Sequence, residues 1–335
     1  MMIVTPNRKL FLVIVALIAL LGLVPAFADT YFLKLFTRIL ILAIFAMSLD
    51  LLIGYTGLVS FGHAAFFGLA AYMLHLVSPE YDAVNALWAL PVCILAAGGA
   101  AAAIGALSVR TRGIYFIMVT LAFAQMMFFL FHDSKFAGGS DGAFIYFKPV
   151  IALFGVTLLD MEDRIVFYYL CLAFLSLSYL FLLMILRSPF GQVIQGIKVN
   201  EQRMLALGYN TYVYKLVSFI IAGMVAGLAG FLFAAIDGFV APQLLSWSES
   251  GIAMMIVILG GMGTLFGPIL GAVGYVGLEE VFKSHGIVGF VADHWQIPMG
   301  LFVIAVVLFL PSGLGGAVAR LVAPARVTES EDEDD

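Results

Sequence analysis

Few residues in the apolar part of this 335-residue chain can do chemistry, and their spacing excludes most catalysis. The patterns G-x-x-x-x-G-K-[ST] and H-E-x-x-H do not occur, so neither a phosphate-cradling loop nor a zinc helix of those types is present. No catalytic set and no metal-ligating set is expected. Cys93 and Cys171 lie inside apolar segments and suggest neither a disulfide framework nor a zinc site. Few ionisable groups stand within or beside long apolar runs, where charge is costly, and the candidates among them are Asp50, His63 and the pair Glu279-Glu280. Two isolated groups make a poor proton relay. Asp50 is expected to pair with His63 or to cap the 54–57 turn, His63 to be a hydrogen-bonded packing residue, and the two glutamates to be interfacial.

Glycine placement says more. GYTGLVSFGHAAFFG at 54–68 and GGMGTLFGPILGAVG at 260–274 interrupt apolar runs, one in each half of the chain. Paired glycine breaks are the pattern of a translocation pathway between structural repeats. Close helix packing through small residues gives the same pattern, and both readings stand. The pathway candidates are Gly54, Gly57, Ser60 and His63 in the first break and Gly263 and Gly267 in the second. Thr120 and Gln125 in the fifth predicted span either line a path or bond a neighbouring helix. In the loop 136–148, the run Gly138-Gly139-Ser140-Asp141-Gly142 reads as a plain turn or as one whose amides, with Ser140 and Asp141, face a ligand.

These residues must be positioned by membrane helices. The chain is 63% hydrophobic and 11% charged, whereas soluble domains carry about 25% charged residues. The expected fold is all-α: a polytopic membrane helix bundle of about 8–10 transmembrane helices with glycine-broken segments and short cytoplasmic coupling helices. Predicted spans are 10–28, 35–54, 58–77, 86–107, 113–131, 165–186, 213–236, 251–261, 265–281 and 297–310. Residues 1–34 form an N-terminal helix and link, retained in preference to cleavage after Ala26-Phe27-Ala28. Residues 35–313 form the permeating domain, and 314–335 an acidic cytoplasmic tail expected to be disordered. No extramembrane stretch is long enough for a separate catalytic domain.

With the N-terminus inside and ten crossings, the inner side holds Arg8, Lys9, Arg110, Arg112, Arg187, Lys198, Arg203, Lys215, Arg320 and Arg326. That is ten of the sixteen Lys and Arg residues, the asymmetry expected of the cytoplasmic side. It places the polar segment 187–215 in the cytoplasm. Ser188-Pro189 reads as an N-cap with proline at the first helical position. Phe190, Val193, Ile194 and Ile197 then form one apolar stripe. Asn200 can cap a second short helix that starts at Glu201 and that Gly208 can end. Two capped amphipathic helices between long spans can dock a partner protein.

Four stretches, in order, closely resemble the M-type permease subunits of branched-chain amino-acid ABC importers: LDLLIGYTGLVSFGHAAFFGLAAYM, GGSDG, RSPFGQVIQGIKVNEQRMLALGYNTYVYKLVSFIIAGMVAGLAGFLFA and MMIVILGGMGTLFGPILGA. The resemblance covers 43–313. It implies a bacterial inner-membrane permease with both termini cytoplasmic, working with a homologous second permease, two cytoplasmic ATPase subunits and a periplasmic solute-binding protein. ATP and Mg would be held by the ATPases, with no cofactor in this chain. The family's ATPase-coupling loop corresponds to 200–208. The residues expected at the ATPase are Phe190, Gln192, Ile197, Asn200, Glu201, Arg203, Ala206 and Gly208. The two alanines common after the loop's glutamate are replaced around Arg203 and Met204. The wording Gln202-Arg203 and Leu207-Gly208-Tyr209-Asn210 looks like related urea permease subunits. The implied cargo is a branched-chain amino acid or similar small solute, with urea, short amides or aromatic acids as the alternative. A stand-alone secondary transporter would need more buried acids, and a membrane-embedded enzyme a polar constellation that is not seen.

Overall fold

The computed structural model describes residues 21–25, 29–79, 81–153, 156–284, 294–310 and 313–316. Most of the predicted first span and of the acidic tail lies outside these residues. Helix α1, Thr30–Asp50, runs without interruption into a π-helical segment, Leu51–Thr56. Then come α2 (Ala64–Val77), α3 (Ala86–Ser108) and α4 (Ile114–His132). Helix α5 (Arg164–Arg187) leads into two short helices, α6 (Pro189–Val199) and α7 (Glu201–Ala206). The long α8 (Thr211–Asp237), then α9 (Trp247–Gly260), α10 (Gly267–Lys283) and α11 (Gln296–Phe309) complete the order. Sheet is slight. Strand β1 (Ala143–Phe144) pairs antiparallel with β4 (Phe239–Val240), and β2 (Val150–Leu153) with β3 (Val156–Asp160).

Among the described residues five helices are long and apolar enough to cross a membrane: Thr30–Thr56, α3, α4, α5 and α8. The predicted span 58–77 is shorter than expected, since its helix begins only at Ala64. Gly57 takes φ +80°, a left-handed turn that ends the π segment and keeps 57–63 out of the helix. At 1.5 Å per residue, the 14-residue α2 and α9 extend about 21 Å, less than a ~30 Å hydrocarbon core. The predicted 251–261 and 265–281 are thus broken elements around a turn at 261–266.

Inside a bilayer, helices gain little by leaving lipid, so their association rests on close packing of small residues. Helix α8 shows this. A Cβ at Gly223 or Gly227 would come within 2.4 Å of Ala101 Cβ and 2.6 Å of Ala97 Cβ on α3. At Gly230 it would fall 1.9 Å from the Phe67 carbonyl on α2. Helix α8 therefore meets the backbone of α2 at Gly230 and the alanine methyls of α3 at Gly223 and Gly227, and forms the centre around which α1 also packs. The buried aromatic rings of Phe66, Phe116 and Phe219 meet edge to face beside this centre.

Candidate functional site

The segment after α5 folds as its capping residues require. Ser188 Oγ accepts the Gly191 N–H, and Pro189 occupies the first turn of α6. Asn200 Oδ1 accepts the Arg203 N–H at 3.0 Å to open α7, and Gly208 closes the stretch at φ +87°. The apolar stripe points inward: Val193, Ile194 and Ile197 are buried, and Phe190 is half-buried, stacked on Tyr214 with ring centroids 5.4 Å apart. Ile197 thus holds α6 from within. Gln192, Asn200, Arg203, Ala206 and Gly208 are exposed. Beside them stand exposed Val199, Leu205, Leu207 and Tyr209, an apolar knob that sequence reasoning missed. Val199 falls off the α6 stripe, and Leu205, Leu207 and Tyr209 lie in or just after the short α7, too short to bury an apolar face of its own.

Glu201 is not a free surface acid. Its Oε1 accepts from Lys215 Nζ at 2.7 Å and from Thr211 at 3.1 Å, and Arg112 Nε lies 3.4 Å from Oε2. The clamp ties α7 to α8 and to the turn between α3 and α4. Burial pulls the Glu201 carboxyl upward, but the Lys215 hydrogen bond and charge, with Thr211 and Arg112, outweigh it and hold it below its ordinary value. Because the folded value is depressed, the stability it gives is fully present above the unfolded glutamate range and lost as pH falls through the folded value. Protease sensitivity at 200–210 should therefore rise on acidification through that window, and Glu201→Gln should give the sensitive form already at pH 7. Equal protection of both proteins at pH 7 would show the clamp does not hold the segment.

The link to the membrane interior is Lys198. Its Nζ donates to the carbonyl oxygen of Gly54 inside the π segment. Its stem lies against Gly57, where a built Cβ would be 3.2 Å from Lys198 Cγ and 3.5 Å from Lys198 Cβ. A π turn shifts the carbonyls out of their helical register. Here the displaced groups are met individually: Thr56 Oγ1 donates to Leu51 O at 2.9 Å, Leu58 N–H to Leu52 O at 2.9 Å, and Lys198 to Gly54 O.

On its other side Gly54 meets the second glycine break. Asp50 Oδ1 accepts the Gly263 N–H at 2.8 Å. A Cβ at Gly54 would lie 2.2 Å from Asp50 Oδ1 and 2.5 Å from Gly263 N. The two breaks read from the sequence therefore touch. Asp50 does not pair with His63 or cap the 54–57 turn, as was expected. Gly263, turning at φ +77°, brings its amide to the carboxylate first. His63 is buried, its Nε2 2.7 Å from Ser48 Oγ and its ring stacked on Phe45, as the packing reading of this residue expects. The glycines beyond serve close packing: a Cβ at Gly267 would fall 2.3 Å from Thr264 Oγ1, and at Gly271 2.1 Å from Ile256 O.

The other candidates scatter. Ser60 is buried and accepts the Gly62 N–H at 3.3 Å. Thr120 is buried and donates to Ile117 O, while its own carbonyl abuts Gly62, so the first break also rests on α4. Gln125 is half-buried in a shallow depression with Met126, Phe129 and Asp133. Ser140 and Asp141 are exposed in a 3-10 turn, where the hydroxyl donates to the carboxylate at 3.1 Å. Glu279 is buried but paired with Lys283 at 2.5 Å, and Glu280 accepts from Tyr31. The site is thus a line running from the knob through Lys198 to Gly54, Asp50 and Gly263.

A family model described as branched-chain amino acid transport system / permease component matches residues 31–311. The chain is 30% identical over 331 residues to the high-affinity branched-chain amino acid transport system permease protein LivM of Escherichia coli K12, covering 92% of this chain and 75% of the relative. LivM of Salmonella typhimurium is 29% identical with the same coverage. A shorter match, 36% over 91 residues, is to the autoinducer 2 import system permease protein LsrC of Photorhabdus laumondii, 26% of this chain and 27% of the relative. No solved structure gives a significant match.

Proposed function

The chain belongs to the family of permease components of branched-chain amino acid transport systems, and we propose that it forms half of the translocation pathway of an ATP-driven importer for branched-chain amino acids or similar small solutes. It is a multi-pass membrane protein. In this proposal it sits in a bacterial inner membrane with both termini cytoplasmic. It pairs with a second homologous permease and two cytoplasmic ATPase subunits that hold ATP and Mg, and a periplasmic binding protein delivers the solute.

The observation that carries the mechanism is the contact of Lys198 with Gly54. The knob of Val199, Leu205, Leu207 and Tyr209 is large and apolar enough to seat in a groove on an ATPase, with Arg203 and Asn200 at its edge. Movement of the ATPases then displaces α6 and α7 with the start of α8, to which Glu201 is clamped by Lys215 and Thr211. Lys198 passes the displacement to the π segment, and Asp50 passes it to the Gly263 turn. A two-state element biased from one end is the form such coupling takes.

The test is uptake into vesicles bearing the assembled importer. Uptake should persist when ion gradients are collapsed and ATP is maintained, and stop when the ATPase subunits are removed. Uptake that follows the gradient and ignores ATP would refute the proposal.

A further inference from the structure

At the end of α5 opposite Arg187, a cleft of about 450 Å³ opens between the starts of α1 and α5 and the end of α8. Lys34, Lys148 and Arg164 line it, with Thr30 and Tyr31 at the mouth and Leu33, Phe167 and Ile236 as an apolar floor. Lys34 is balanced by Asp237 at 3.0 Å. Among the described residues neither Lys148 nor Arg164 has an ion-pair partner within 4 Å, and Asp160 and Glu162 act on Lys148 only from longer range. Burial and the neighbouring Arg164 charge push the Lys148 ammonium below its ordinary value, with Glu162 opposing them. Like charges gathered in a half-enclosed cleft ask for an anion. The helix ends around it carry exposed Tyr31, Phe32, Ile165 and Tyr169, the amphipathic belt of a membrane interface.

We infer that this cleft binds the phosphodiester headgroup of an acidic phospholipid, with Lys148 and Arg164 on the phosphate and the apolar floor against the start of its acyl chains. The apolar floor favours a lipid over free phosphate. Lys148 and Arg164, the two cations left without an ion-pair partner among the described residues, disfavour a zwitterionic lipid, whose ammonium would enter beside them. Nothing in this assignment depends on the cargo or on ATP.

The test is native mass spectrometry of the full-length chain, purified with its accompanying subunits and exposed to phosphatidylglycerol, phosphatidylethanolamine or inorganic phosphate. Wild type should retain phosphatidylglycerol over phosphatidylethanolamine by roughly tenfold, in line with the attraction of two basic groups at a membrane surface. The double variant K148Q/R164Q should lose the preference, and K148R/R164K should keep it. If the neutral double variant fails to assemble, added salt on wild type serves instead and should erase the preference. The assignment is overturned if wild type shows no preference, if K148Q/R164Q keeps it, if salt leaves it unchanged, or if inorganic phosphate displaces the lipid.

Discussion

Replacing Lys198 by Met should reduce ATP-driven uptake by about tenfold while leaving ATP hydrolysis by the assembled complex near wild-type levels. Methionine keeps an apolar stem to lie against Gly57 but removes the donor to Gly54 O. A buried carbonyl left without its partner costs ~1–3 kcal/mol, and ~1.4 kcal/mol is tenfold in an equilibrium. That cost falls on the state in which the docking segment and the glycine joint are linked. In the proposed docking the ATPases would keep their seat on the exposed knob, which Lys198 does not form. Lys198→Arg, which restores a donor, should recover most of the uptake. Uptake and hydrolysis that fall together would place Lys198 in assembly and not in transmission.

Gly54→Ala should have the larger effect on the joint itself. The added methyl would meet Gly263 N at 2.5 Å and Asp50 Oδ1 at 2.2 Å, both below any real Cβ contact. One neighbour is backbone of another element and cannot rotate away. Overpacking of this kind costs ~1–3 kcal/mol or more, here concentrated where the two breaks touch. Uptake should be nearly abolished, and the amides at 260–263 should exchange hydrogen faster, because the Asp50 contact to Gly263 is the first to be pushed apart. Gly99, whose built Cβ meets nothing within 4 Å, is the matched control, and Gly99→Ala should transport normally. Normal uptake by the Gly54 variant would mean that the joint yields freely and transmits nothing.

The helices and their caps were legible because each rests on local chemistry. Ser188-Pro189, Asn200 and Gly208 mark the ends of α6 and α7 by side-chain and backbone rules that need no tertiary information. The two glycine breaks were legible for the same reason. That they touch was not. The Asp50 to Gly263 hydrogen bond joins residues 213 positions apart, and no period in the chain records it. The same holds for Lys198, which reads as one more cytoplasmic charge until the π segment turns the Gly54 carbonyl toward it. The partners of Glu201 were hidden in the same way, since Lys215 and Thr211 reach it from the next helix. Strands β1 and β4 were missed because they are two residues each and pair across most of a hundred positions of chain.

The most direct test of the linkage is to replace the lysine contact by a covalent bond. A Cβ built at Gly57 lies 3.5 Å from Lys198 Cβ, within the separation a disulfide spans. Gly57→Cys carries backbone strain at φ +80° and needs its own control. In a background lacking the buried thiols Cys93 and Cys171, the reduced double variant G57C/K198C should be as poor in uptake as Lys198→Met. If the docking segment and the first glycine break move as one body, oxidation should restore uptake toward that of Gly57→Cys alone. Oxidation that forms the disulfide and still leaves uptake at the reduced level, or abolishes it, would show that the two parts move independently.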